Sequence, residues 1–205
     1  MPLKGPAFEG PAVSERVVAG TVDGVLYGLN AQTGREEWRR DLGSAVTTTP
    51  LASAEDVYVG TADGSLHRID VRLGSVLASR RLAANLKPSS VPFRTADALL
   101  VLLTDQASDY RALVSMDPAL KGVRWQVTAD KNWSTSRVFV WGEVVVLGTP
   151  SGEVLAYCAN TGARSWTRSV KGRIRSIGGG SDTLLIGTDT GGLYALNAPR
   201  TCNAG

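Results

Sequence analysis

Histidine, cysteine and methionine are scarce in this 205-residue chain, which carries one His, two Cys and two Met. A zinc site needs several His or Cys ligands, and a disulfide scaffold needs several cysteines, so neither class has material here. No apolar run reaches the roughly 18 residues of a membrane-spanning helix. The longest apolar stretches, around residues 99–103 and 138–141, are strand-length and rich in β-branched residues. Helical periodicity of useful length is missing throughout. Neither charge sign dominates, because 22 Lys and Arg face 19 Asp and Glu for a net charge of +3. The pI near 9.0 thus reflects a small surplus and gives little support to nucleic-acid binding. The N-terminus shows no basic leader, apolar h-region or small-residue cleavage site, and no lipidation signal stands at either end. Both ends run abruptly into patterned sequence, which fits a complete small protein or, as expected here, a piece of a longer one.

What is present is a globular composition, 43% hydrophobic and 20% charged, with 23 glycines that imply many turns. The dominant feature is a repeat. VVAGTVDGVLYGLNAQTGREEW begins at Val17, VYVGTADGSLHRIDVRLGSVLA at Val57, VVLGTPSGEVLAYCANTGARSW at Val145 and LLIGTDTGGLYALNAPRT at Leu184. A degenerate copy, LLTDQASDYRALVSMDPALKGVRW, lies between the second and third. The register residues Leu26, Leu66, Leu113, Val154 and Leu193 are separated by 40, 47, 41 and 39 positions. A period of about 42 is the size of one four-stranded propeller blade.

Each copy supplies strands B and C, the first four also supply D, and a strand A candidate lies upstream, at 11–13, 47–51, 89–93, 134–139 and 174–177. The fifth copy lacks strand D. Asp23-Gly24, Asp63-Gly64, Ser151-Gly152 and Thr190-Gly191 occupy the B–C hairpins, where Gly supplies positive φ without steric cost. Thr33-Gly34, Leu73-Gly74 and Thr161-Gly162 mark the C–D turns. The fold class is therefore all-β: a propeller of about five four-stranded blades in one domain, 1–205, with blades near 4–43, 44–84, 85–130, 131–171 and 172–205. It reads as a closed five-bladed ring or as part of a seven- or eight-bladed one, with the second expected. Residues 1–4 are the only candidates for the missing strand of the fifth blade.

Reading slots across the blades gives a packing inference. Gly28, Ser115, Ala156 and Ala195 share a small-residue slot, in which the second blade has Arg68. Ten residues later Trp38, Trp125 and Trp166 share a slot in which the second blade has Ala78. The blade with the large residue in one slot lacks the large residue in the other, so the two slots are neighbours and the indole lies on the small residue. The single histidine, His67, shares its slot with Tyr27, Val114, Leu155 and Tyr194. A general base needs an oriented partner and none is marked, so a packing role is expected. Asp23, Asp63 and Asp189 recur in the hairpins, where turn chemistry explains them better than a metal ring. Cys158 and Cys202 are 44 residues apart in different blades, and no disulfide or CxxC chemistry is expected of them.

The densest charge feature is Arg164, Arg168, Lys171, Arg173 and Arg175, across strand D of the fourth blade and the entry to the fifth. D–A loops and B–C hairpins share one rim of a propeller. Arg168, Lys171, Arg173 and Arg175 should form a basic arc there, fit for an acidic partner or another anion. The competing reading is a solvated strand edge defended by charge. The B–C loop of the third blade is lengthened at 104–110 (TDQASDY), placing Tyr110 on the same rim, with Trp133 as a candidate aromatic anchor beside it.

The run from Gly28 to Gly34 with Trp38 beyond it resembles the tryptophan-docking repeat of the pyrroloquinoline-quinone (PQQ) type propellers. So do the stretches from Ala156 to Trp166 and from Leu193 to Asn197. The resemblance spans nearly the whole chain and is weakest over 89–132. That family includes eight-bladed quinone-dependent alcohol dehydrogenases with PQQ and calcium. It also includes a non-catalytic scaffold, the lipoprotein B subunit of the outer-membrane β-barrel assembly machine, and sensor domains of bacterial kinases. The dehydrogenases carry adjacent cysteines at the cofactor and are more than twice this length, and neither feature is matched. The reading is a non-enzymatic scaffold with a protein partner on the loop rim; the departures from the dehydrogenases leave no cofactor expected, and the hairpin chemistry and small net charge leave no metal and no nucleic acid expected. The resemblance implies a periplasmic or cell-envelope location, with the cytoplasm left open by the missing leader. The alternatives are a fragment of a PQQ-dependent alcohol dehydrogenase and a carbohydrate- or anion-binding module.

Overall fold

The computed structural model describes residues 6–7, 10–82, 85–105, 111–129, 133 and 138–202. Five antiparallel sheets follow one another along the chain. The first blade is β1 (Ala12–Val13), β2 (Arg16–Gly20), β3 (Val25–Asn30) and β4 (Glu36–Asp41), and the second is β5 (Leu51–Ala52), β6 (Asp56–Gly60), β7 (Ser65–Asp70) and β8 (Val76–Arg81). The third holds β9 (Lys87–Pro88), β10 (Phe93–Arg94), β11 (Leu99–Thr104), β12 (Arg111–Met116) and β13 (Val123–Thr128). The fourth is β14 (Phe139–Trp141), β15 (Val144–Gly148), β16 (Glu153–Cys158) and β17 (Arg164–Ser169). The fifth has three strands among the described residues, β18 (Ile174–Gly179), β19 (Leu184–Thr188) and β20 (Leu193–Leu196).

Blade stacking explains the hydropathy of each strand. Strands B and C are covered on both faces, so β6 and β15 are buried at every position and read as continuous apolar runs. Strand D is the outer edge of the first four sheets, and β8 and β13 hold only exposed and half-buried residues. The core is divided into four apolar layers, each between consecutive blades. Such joints stabilise a repeat protein as a sum of neighbour contacts. Leu26, Leu66, Leu113 and Val154 are all 0% exposed, each worth about 1.5–3 kcal/mol of burial, whereas Leu193 in the same slot is 74% exposed.

Gly24, Gly64, Gly152 and Gly191 have φ between 80° and 88°, as the B–C hairpin requires. The degenerate third blade has Lys121 where the other C–D turns have Gly, and the positive φ moves one residue earlier, to Leu120 at 60°, which stays 4% exposed. Burial of the leucine offsets a backbone cost of about 1–2 kcal/mol. Strand A is interrupted in the first three blades. Ala7, Val46 and Pro88 pair at one end of strand B, and pairing resumes at Ala12, Leu51 and Phe93. A proline, Pro11, Pro50 or Pro92, directly precedes each resumption, where a missing N–H costs no ladder bond.

Candidate functional site

The inferred contact between tryptophan and small residue is the joint between blades. Gly28 faces Trp38, Ser115 faces Trp125 and Ala156 faces Trp166 across strands C and D. A Cβ at Gly28 would overlap the Trp38 ring, and one at Gly74 in the next blade's C–D turn would overlap its other side. Each indole N–H then donates to a backbone carbonyl in the following blade. Trp38 reaches Val71 at 2.9 Å, Trp125 reaches Ala159 at 3.2 Å and Trp166 reaches Pro199 at 2.9 Å. Two residues further along strand D, Arg40 donates to the Gly74 carbonyl at 2.8 Å and Arg80 to the Lys121 carbonyl at 2.8 Å.

The second blade, lacking tryptophan, adds charge to its apolar contact with the third. Asp56 is fully buried and receives Arg68 at 2.7 Å and Arg94 at 3.0 Å. Tyr58 donates to the Pro118 carbonyl of the third blade at 2.8 Å. Burial pushes the Asp56 carboxyl up, but the Ser53 hydroxyl and the two guanidiniums outweigh it and hold the carboxyl below its ordinary range. Arg68 is raised chiefly by its bond to Asp56. Arg68 in the small-residue slot thus pairs within its own blade with the carboxylate that Arg94 reaches from the third blade, and Ala78 lies opposite it.

His67 is buried, with Nε2 3.0 Å from the Thr61 hydroxyl and Nδ1 2.8 Å from the Ser79 hydroxyl. Desolvation lowers its pKa, against the pull of Asp63. Asp63 in turn accepts from Thr61 at 2.6 Å and from the Ser65 hydroxyl at 2.9 Å, and Thr21 bonds Asp23 in the same way. These oxygens close hairpins, as the turn reading required.

The D–A loops and B–C hairpins meet on one rim. Leu42 N–H donates to the Gly24 carbonyl and Val170 N–H to that of Gly152. In the joint between the last two blades, Asp189 N–H donates to the Arg173 carbonyl while Asp189 Oδ1 accepts from Arg173 N–H, both at 3.0 Å. Lys171 and Arg173 lie in this loop, Arg168 stands at the end of β17 opposite Val154, and Arg175 occupies the bulge between Ile174 and Ser176. All four are exposed, and none has an ion-pair partner among the described residues. Arg168 also lies 5.9 Å over the Trp166 ring. Arg164 leaves the group, because it bonds the Tyr157 hydroxyl at 2.9 Å at the opposite end of strand D.

Two further candidate binding residues are Tyr110 and Trp133. Tyr110 and most of the 104–110 loop lie outside the described residues. Trp133 is 0% exposed and packs edge-on to Tyr157 at 6.2 Å within the apolar layer between the third and fourth blades, so its position is interior packing and not a surface anchor.

A second correction concerns the cysteines. Cys158 and Cys202 form a disulfide with a Cα separation of 5.3 Å. In other blades the Cys158 slot holds Asn30 or Asp70, whose side-chain oxygen caps the C–D turn by accepting two backbone N–H bonds. The fourth blade replaces that cap with a covalent tie to the chain following β20. Only the arrival of the fifth blade's turn beside the fourth brings Cys202 within reach, and spacing in sequence carries no sign of it.

Tryptophan joints, Asp-Gly hairpins and stacked antiparallel sheets define a β-propeller of PQQ-like repeats. The chain matches the family described as outer membrane protein assembly factor BamB over residues 2–101 and 83–200, and it belongs to that family. It is 27% identical over 162 residues to outer membrane protein assembly factor BamB of Burkholderia pseudomallei (strain K96243), a match covering 76% of this chain and 40% of that protein. The crystal structure of BamB from Moraxella catarrhalis superposes with a TM-score of 0.72 at 19% identity, covering all of this chain (100%) and 64% of that one. The quinohemoprotein alcohol dehydrogenase ADHIIG from Pseudomonas putida HK5 gives 0.73 at 14% identity, covering 95% of this chain and 41% of that one. The chain thus spans less than half the length of its Burkholderia relative. The likeness to the dehydrogenase is one of fold. Both cysteines here are used in a single bridge between the last two blades, and the described residues contain no group of three or more His, Cys, Asp or Glu placed to hold a metal ion.

Proposed function

We propose that this chain is a non-catalytic scaffold of outer-membrane assembly that binds a protein partner through the rim of its fourth and fifth blades. The observation that carries the reading is the arc of Arg168, Lys171, Arg173 and Arg175, four exposed cations in one D–A loop and the strands flanking it, with no ion-pair partner among the described residues. Cations left unpaired on a rigid rim attract an acidic partner and speed its encounter. Membership of the BamB family supports the assembly setting. The disulfide supports an oxidising compartment, as the periplasm provides. No helix among the described residues is long and apolar enough to cross a membrane.

The test is co-purification of outer-membrane assembly proteins with the tagged chain from envelope extracts. Arg173→Glu combined with Arg175→Glu should abolish recovery while leaving the melting temperature unchanged. Undiminished recovery would refute the rim. Titration with PQQ and calcium checks the catalytic alternative: saturable binding with dye-linked alcohol oxidation would replace the scaffold reading.

A further inference from the structure

The single histidine sits in a hydrogen-bonded run that ends on an exposed hydroxyl. Asp63 Oδ1 accepts from the Thr61 hydroxyl at 2.6 Å, Thr61 Oγ1 lies 3.0 Å from His67 Nε2, and His67 Nδ1 lies 2.8 Å from Ser79 Oγ. The Thr61 proton goes to the Asp63 carboxylate, which has none to give, so Thr61 Oγ1 accepts from Nε2–H. That fixes the tautomer: Nδ1 carries the lone pair, and the Ser79 hydroxyl donates to it. Burial holds the His67 pKa below its ordinary value, so the ring is neutral at pH 7 with that lone pair free to take a proton. The charge on Asp63 pulls the other way and favours the imidazolium that a proton from Ser79 creates.

The fold does not require this run. The residues that face each other at this point of strands C and D are Tyr27 and Arg39, His67 and Ser79, Val114 and Gln126, and Leu155 and Thr167. The first blade closes its hairpin with the same hydroxyl on carboxylate, Thr21 on Asp23, and has tyrosine in the histidine slot. Ser79 is exposed on β8, and no described strand pairs with the outer edge of that strand. Leu82 N–H donates to the Gly64 carbonyl at 2.9 Å, and the two-residue alternation of the ladder turns the Ser79 N–H outward to the free edge. Arg81, two residues on along the same face, is exposed and has no ion-pair partner among the described residues.

We propose that Ser79 is an acyl-acceptor site, a serine that His67 activates as general base for attack on an activated ester. Ser79 Oγ forms a bond to the ester carbonyl carbon while its proton passes to His67 Nδ1. The bond from that carbon to the leaving oxygen then breaks, and the leaving oxygen takes the proton from His67. The products are an acyl-serine ester and a free alcohol or phenol, with no change of oxidation state. The Ser79 N–H at the free edge and the Arg81 guanidinium on the same face are the groups available to the carbonyl oxygen as it gains charge. Thr61 and Asp63 are positioning residues that hold the ring in its reactive tautomer. The step is a single covalent modification of the scaffold and does not rest on the basic rim.

The probe is p-nitrophenyl acetate, added to the full chain, and the readout is the rate at which an acetyl group appears at each serine by peptide mass mapping. Ser79 should be acetylated about a hundredfold faster in the wild type than in His67→Tyr or His67→Leu. These variants copy the slot as the first and fourth blades fill it, with Tyr27 and Leu155, so circular dichroism should report unchanged folding. Ser169, exposed on β17 opposite Glu153, is the internal control and should label at the slow rate of the variants. The proposal is overturned if Ser79 labels no faster than Ser169, which would leave His67 as packing alone. It is also overturned if the folded His67 variants keep the wild-type rate at Ser79, or if the acetyl groups fall on lysines and not on Ser79.

Discussion

Replacing Trp38 with alanine tests the blade joint where its parts are fully seen. The indole is 8% exposed, lies between Gly28 of its own blade and Gly74 of the next, and donates to the Val71 carbonyl at 2.9 Å. Removing a core tryptophan costs about 3–5 kcal/mol, a range that includes the cavity left behind. Trp38→Phe fills most of that space and loses the N–H, so it should cost only about 1–2 kcal/mol. With a urea slope of about 2–3 kcal/mol per molar, Trp38→Ala should lower the unfolding midpoint by roughly 1.5 M. Far-UV circular dichroism across a urea series reads this directly. Arg35→Ala, at an exposed turn position, is the control and should move stability by no more than about 0.5 kcal/mol. Equal midpoints for Trp38→Ala and Arg35→Ala would refute the joint as a source of stability.

Three further outcomes follow from the same geometry. Asp56→Ala strands Arg68 and Arg94, and because both are partly exposed the loss should be roughly 2–3 kcal/mol at pH 7. The depressed carboxyl contributes its stability above the ordinary carboxylate range and loses it as pH falls through the lowered value. Asp56→Asn should therefore flatten the fall in urea midpoint between neutral and acid pH, and an unchanged slope would contradict the cluster's role. Cys202→Ser, or reduction of the wild type, opens a 44-residue loop and should cost about 2–4 kcal/mol, read as a drop in melting temperature that a reductant no longer deepens in the variant. Leu66→Ala should cost about 2–5 kcal/mol and Leu193→Ala almost nothing, since one slot is buried and its counterpart is open to solvent, and similar losses at both would show that the fifth blade's face is covered in solution.

The sequence was legible wherever one slot repeats. Leu26, Leu66, Leu113 and Val154 set the register, and the anticorrelated Gly28/Trp38 and Arg68/Ala78 pairs reported a contact between strands because a size change in one neighbour demands a change in the other. Pro11, Pro50 and Pro92 carried an equally periodic mark of the interrupted strand A, visible only once strand B supplied the pairing. Features made once were not legible. The Asp56 cluster draws Arg94 from the next blade, so no slot alignment connects them. Trp133 stands outside the repeat register, and its burial depends on Tyr157 of the following strand pair. The bridge between Cys158 and Cys202 forms because the fifth copy departs from the repeat after Asn197. Of the candidate binding residues, charge density singled out Arg168, Lys171, Arg173 and Arg175, which the structure places close along the chain and exposed. Composition could not separate Arg164, which the Tyr157 hydroxyl holds at the other end of its strand.

The docking rim can be tested most directly by site-specific photo-crosslinking in the living cell. A photoreactive side chain placed at Lys171 stands on the proposed rim, and one at Leu73, 71% exposed on a C–D turn, stands on the opposite rim. The account predicts a cross-link to an outer-membrane assembly protein from position 171 and none from position 73. A cross-link from 73 alone, or from neither, would contradict it.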